Sequence, residues 1–139
     1  MMTLDAFKSI EIQSKTDNIP YVEKLIDEIC EENKVNEDYY GNILIAITEA
    51  VNNAIMHGNA NDPQKKVKID VETKQEGLVF KVSDQGPGFD YDSLPDPTEP
   101  ENIDKPNGRG VFLMKHLADT VTFHDMGKTV ELSFKISAN

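Results

Sequence analysis

Glu49, Asn53 and His57 stand at intervals of four within the stretch Ile47-Thr48-Glu49-Ala50-Val51-Asn52-Asn53-Ala54-Ile55-Met56-His57-Gly58. On a helix such residues form a row along one face, while Ile47, Val51, Ala54 and Ile55 turn largely elsewhere. A carboxylate that can take a proton, beside an amide oxygen that can meet a hard cation, suits a site handling a metal-bound phosphate ester. By itself the row also reads as an ordinary solvated stripe. Against that, the flanking apolar residues are dense enough to bury most of the helix, and Lys, Arg or a second acid is commoner on a wet face than Asn and His. We therefore expect the row to line a cavity.

Two glycine motifs extend the pattern. Asp84-Gln85-Gly86-Pro87-Gly88 follows an apolar run, and taken alone it reads equally as a Gly-Pro turn. Glycine permits close backbone approach, so the segment also suits a ligand laid against the main chain. An ionised Asp84 accepts hydrogen bonds only, and the exocyclic amine of adenine is a donor. Gly108-Arg109-Gly110 precedes a short apolar segment, Val111 to Ala118. If that segment is helical, its first N–H groups are free and its dipole presents a positive end, an arrangement that binds phosphate. A plain loop-to-helix turn fits the same residues. The motif is neither a Walker loop nor a Rossmann fingerprint, since no Gly-Lys-Ser/Thr follows and no strand runs directly into it. Lys105 and Arg109 are the nearby cations; either can neutralise phosphate charge, and a solvated position is equally open to each.

These residues need a scaffold. Phe7 to Gln13 alternates loosely and reads as an opening strand. Val22, Leu25, Ile26 and Ile29 recur at helical spacing, with Asp17 or Asn18 as cap and Pro20 in the first turn. A second helix is expected from near Glu37 to His57, ended by Gly58 to Pro63. The period then changes to two: Val67, Ile69 and Val71 form a strand, Gln75-Glu76-Gly77 a turn and Leu78 to Val82 a partner. Asp90 to Lys105, rich in acids and proline, has little to bury and reads as a surface loop. Thr120 to His124 and Thr129 to Ile136 are expected to close the chain as strands around the turn Asp125 to Lys128. Helices gathered on one face of a mainly antiparallel, mixed sheet make an α+β two-layer sandwich.

The 139 residues fit one domain with a single core. A formal net charge of −11 argues against nucleic acid or an anionic membrane as partner, because both require a basic patch. Any phosphate must be held by local groups. The single cysteine, Cys30, excludes an intrachain disulfide and a cysteine-based zinc cluster, and its expected role is packing. Met1 to Ile12 carries Asp5 and Glu11 and lacks the apolar core of a signal peptide, and no segment reaches transmembrane length. The expected location is cytoplasmic.

Taken together and in order, the Glu49/Asn53/His57 row, Asp84-x-Gly86-x-Gly88, an acidic loop and Gly108-x-Gly110 resemble the Bergerat-fold (GHKL) ATPases over roughly residues 15 to 137. Within that superfamily the stretches from Glu49 to Gly58 and from Gly110 to Met114 are most similar to the anti-sigma factor serine/threonine kinases. The resemblance implies a single histidine-kinase-like ATPase domain over residues 1–139, with ATP and Mg²⁺ as cofactors. Asn53 would coordinate the Mg²⁺ bridging the phosphates, Asp84 would recognise adenine, and Gly86 and Gly88 would let the nucleotide approach the backbone. Gly108 and Gly110, with Lys105, Asn107, Arg109 and Val111 around them, would hold the phosphates, and the loop over about 89–107 would be the ATP lid. Thr129 would support the adenine site and His57 would orient or close it. Glu49 would be the general base, taking the proton from a protein serine or threonine as it attacks the γ-phosphate.

The resemblance further implies a protein kinase that phosphorylates an antagonist of the sulfate-transporter/anti-sigma-antagonist (STAS) fold, sequesters a sigma factor or similar regulator, and forms a homodimer. A nucleotide-responsive binding protein that transfers nothing is the alternative, since a carboxylate near Mg²⁺ can persist for binding alone. A third reading is an interaction domain in which the motifs coincide by chance.

Overall fold

The computed structural model describes residues 6–88 and 106–136, and side chains for all of these except 6 and 106–109. The chain opens with strand β1 (Ala6–Gln13), and a 3-10 turn (Thr16–Asn18) leads into helix α1 (Ile19–Glu32). Helix α2 (Glu37–Asn53) passes into a π-helical turn (Ala54–Gly58). Strands β2 (Lys66–Lys74) and β3 (Gly77–Ser83) follow, then helix α3 (Pro106–Leu117), strand β4 (Thr120–His124), a 3-10 turn (Asp125–Gly127) and strand β5 (Thr129–Lys135). The loop expected to act as a lid lies outside the described residues from 89 to 105, Lys105 included, whereas its last two residues, Pro106 and Asn107, belong to α3.

One five-stranded sheet, ordered β1-β2-β3-β5-β4, organises the molecule. Among the described residues every pairing is antiparallel, so the expected mixed sheet is antiparallel throughout them. Period-two patterning explains which face is buried. Val67, Ile69 and Val71 of β2, Leu78, Phe80 and Val82 of β3, and Val130, Leu132 and Phe134 of β5 point to the helices, while Lys66, Lys68 and Lys81 point to solvent. Phe80 and Phe134 meet edge to face, their ring centroids 5.8 Å apart.

Helix α1 contributes Val22, Leu25, Ile26, Ile29 and Cys30 to the core, and α2 contributes Ile43, Ala46, Ile47, Ala50 and Val51. Cys30 is buried and free, and burial raises its thiol pKa to about 11, in keeping with a packing role. Asn36, which interrupts the helical period, caps α2 by accepting from the Asp38 N–H at 2.9 Å, worth about 1 kcal/mol. Asn18 stands at the α1 boundary, but its side chain donates to the Gln13 carbonyl at 3.1 Å and caps nothing. No helix among the described residues is long and apolar enough to cross a membrane.

Candidate functional site

The end of α2 decides where the site lies. Beyond Asn53 the backbone widens into the π turn, and the Asn59 N–H reaches the Ala54 carbonyl at 2.8 Å. The sequence reading carried the α-helix on to His57; the widening arises where Gly58 is pressed against the end of β3. A Cβ on Gly58 would overlap the Asp84 carboxylate, and one on Gly86 would overlap the Gly58 carbonyl. Only glycine allows these two chain segments, 26 residues or more apart, to touch.

Asp84 is held on several sides. Its N–H donates to the Lys128 carbonyl at 2.9 Å, and its Oδ1 accepts from the Gly86 N–H at 2.9 Å. The next residue, Gln85, donates its N–H to Asn59 Oδ1 at 2.7 Å. Burial raises the Asp84 pKa above the ordinary carboxylate value, partly offset by the Gly86 N–H and by Lys128 and Lys65. Gly88 has φ +86°, and a Cβ there would overlap the Met126 carbonyl of the β4–β5 turn.

On the other side, α3 packs along α2. A Cβ at Gly110 would lie 2.5 Å from Asn53 Nδ2, so the absence of a side chain brings the α3 backbone onto the Asn53 amide. Helix α3 begins at Pro106, earlier than the sequence reading placed it, because proline is favoured in a first turn where its missing N–H costs nothing. Gly108 and Gly110 therefore sit inside the first turns of the helix rather than ahead of it. For Asn107, Gly108 and Arg109 only the backbone is described.

Between these contacts lies a cleft of about 580 Å³, counting its open mouth. Asn53, His57, Asp84 and Lys128 border it, and Val82, Val111, Met114, Phe123 and Val130 supply an apolar lining. That combination of an apolar interior and a few polar groups at its border suits a ligand with an apolar ring and a polar tail. His57 is exposed at the mouth, yet the wall behind it lowers its pKa. Among the described residues no group of three His, Cys, Asp or Glu can hold a metal unaided. The half-buried Asn53 amide offers one hard oxygen to a cation that arrives with phosphate oxygens, which fits Mg²⁺.

The structure thus brings Asn53, His57, Asp84, Gly88 and Val111 to one cleft, with Gly86 and Gly110 packed behind it. Glu49 is half-buried one turn before Asn53 and is not among the lining residues. Thr129 pairs with Ser83, out of phase with the inward Val82 and Val130, and its hydroxyl donates to Ser83 Oγ at 3.0 Å. Its contact with the site therefore runs through the residue before Asp84. Sequence reasoning missed Lys128, Phe123 and Met114, and also Asn59, whose partners are 26 and 45 residues away. The only sequence signal for the apolar members was their strand and helix periodicity.

Fold and cleft define an α+β sandwich whose main cleft lies between the helical layer and the sheet. Within that class the chain belongs to the histidine kinase-like ATPase domain family, which it matches over residues 12–134. It is 33% identical over 97 residues to the serine-protein kinase RsbW of Staphylococcus aureus strains JH9 and Newman, an alignment covering 64% of this chain and 61% of each relative. The matched region is thus less than two thirds of those relatives' length. The solved structure of the RsbU and RsbW domains of Rv1364c from Mycobacterium tuberculosis matches with a TM-score of 0.70 at 17% identity, over 96% of this chain and 33% of that one. At that identity the likeness speaks for the fold.

Proposed function

We propose that this protein is an ATP-binding regulatory serine/threonine kinase of the anti-sigma type. One observation carries the reading: Gly110 against Asn53 and Gly58 against Asp84 draw three distant motifs around a single cleft. The apolar walls would hold adenine, with Asp84 accepting from its amine. Asn53 and the first turns of α3, where free N–H groups and the helix dipole favour negative charge, would hold the triphosphate. Bound Mg²⁺ would take its protein oxygen from Asn53 and neutralise phosphate charge. Lys105, Asn107, Arg109, Gly108 and Val111 would complete the phosphate side, the segment ahead of α3 would supply the lid, and His57 would close the mouth.

Glu49 accepts the proton of a serine or threonine hydroxyl, the hydroxyl oxygen bonds the γ-phosphorus, and ADP leaves. The acceptor is an antagonist protein of the STAS fold, and the complex that forms sequesters a sigma factor or a similar regulator in a soluble, cytoplasmic switch. Homodimerisation belongs to the same proposal. The position of Glu49 outside the cleft lining favours a second reading, a nucleotide-responsive binding protein without transfer.

The experiment is incubation with γ-labelled ATP, Mg²⁺ and a candidate STAS-fold antagonist. Label on a Ser or Thr of the antagonist, lost in Glu49→Ala, supports the kinase. Tight ATP binding with no transfer to any partner supports the binding protein, and absence of ATP binding overturns both.

A further inference from the structure

Asn59 lies immediately beyond the π turn and has 0% of its surface exposed. A fully buried amide is costly unless each of its polar atoms finds a partner. Here each does. Nδ2 donates to Ser14 Oγ at 2.8 Å and to the Lys66 carbonyl at 3.0 Å, and Oδ1 accepts from the Gln85 N–H at 2.7 Å. The side chain of Gln85 returns the link, its Oε1 accepting from the Lys66 N–H at 2.6 Å. One amide thus ties together the end of β1, the start of β2 and the backbone next to Asp84. The chain leaves Asn59 through Ala60 and Asn61, which adopt left-handed φ of 51° and 58°, unusual for residues with a Cβ.

We infer that Asn59 is a positioning residue for base recognition: by gripping the Gln85 N–H it fixes where the Asp84 carboxylate faces the cleft, and so sets the preference for a purine bearing an exocyclic amine. The inference rests on the proposed role of Asp84 toward adenine. Asp84 itself is gripped by main chain on its other side, through its N–H to the Lys128 carbonyl. With Oδ1 engaged by the Gly86 N–H, the carboxylate has one oxygen free of that bond for the ligand. Loss of the Asn59 bond leaves this side of the loop held by the Gln85 side chain on the Lys66 N–H alone, and the backbone that carries the Asp84 carboxylate gains freedom to shift. Geometry of this kind selects between ligands because a misplaced acceptor loses its hydrogen bond while the apolar walls still hold the ring.

The test compares affinity for ATP with affinity for purine riboside triphosphate, which lacks the amine at C6. In the wild type, ATP is expected to bind tighter by about ten-fold or more, the worth of one charge-assisted hydrogen bond. In Asn59→Ala the ratio is expected to fall to within about threefold of unity, while purine riboside triphosphate binds much as before. Asn59→Ser, whose short hydroxyl cannot reach the Gln85 N–H, serves where Asn59→Ala does not fold and is expected to give the same collapse. Val22→Ala in α1 is the control for lost stability, lowering the melting temperature with the ratio intact. A wild type that fails to prefer ATP overturns the adenine role of Asp84 itself. A wild type that does prefer it, alongside Asn59→Ala and Asn59→Ser variants that keep the full preference, overturns the positioning role alone.

Discussion

Replacing Asp84 with Asn should weaken ATP binding and, at neutral pH, stabilise the empty protein. The two effects separate because the carboxylate is half-buried and its pKa is raised by burial. A folded-state pKa above the unfolded value means that the folded protein binds this proton more tightly. The stabilisation from that proton is complete below the unfolded value near 3.8 and is lost as pH climbs through the folded value, so at pH 7 the ionised group opposes folding. Asn carries no charge and can still accept the Gly86 N–H through its amide oxygen. Doing so turns its NH₂ group toward the ligand, where it meets the adenine amine donor to donor. The cost combines a lost charge-assisted hydrogen bond with an unpaired donor, about 2–4 kcal/mol, or roughly 30- to 900-fold in Kd. Calorimetric titration with ATP measures the affinity. Urea denaturation of the empty protein at several pH values measures the stability, and the gain from Asp84→Asn should grow between pH 4 and 7. At an ATP concentration about 100 times the wild-type Kd, the wild type gains about 2.7 kcal/mol of stability and the variant about 0.1–0.9 kcal/mol. Unchanged ATP affinity in Asp84→Asn would refute the assignment of the base site, and a variant less stable than wild type at every pH would refute the account of its burial.

Further outcomes follow from the same geometry. Gly110→Ala places a methyl group 2.5 Å from the Asn53 amide nitrogen; a stability loss of about 1–3 kcal/mol and loss of the Mg²⁺-dependent part of ATP affinity are expected, read by denaturation and by titration with and without the metal. Gly58→Ala drives a Cβ into the Asp84 carboxylate and should lower stability by a similar amount, while Asp84→Ala in the same chain relieves much of it, a coupling that a double-mutant cycle measures. Glu49→Gln should leave ATP affinity within about threefold and slow transfer to the antagonist by about 10²–10⁴-fold, and equal loss of binding would contradict its role as base. His57, whose pKa burial lowers, favours folding when neutral; its contribution is present above pH 6.5 and is lost as pH falls through the folded value. Stability of His57→Gln should therefore fall less steeply than wild type over that acid window.

The amino-acid sequence by itself determines most of the secondary-structure elements and the order of the motifs along them. Strands β2, β3 and β5 announce themselves by period two, α1 by its apolar spacing, and the Glu49/Asn53/His57 row by intervals of four, because those patterns are local consequences of backbone geometry. Contacts between distant segments leave no such local trace. That the sheet is antiparallel throughout, that α3 starts at Pro106, and that the α2 backbone widens at Ala54 were decided by packing. Gly58 looked like a helix stop, and only the fold revealed it as the point where β3 delivers Asp84 to the helix end. Asn59 reads as a loop residue for the same reason: two of its three side-chain partners, Ser14 and Gln85, are neighbours in space alone.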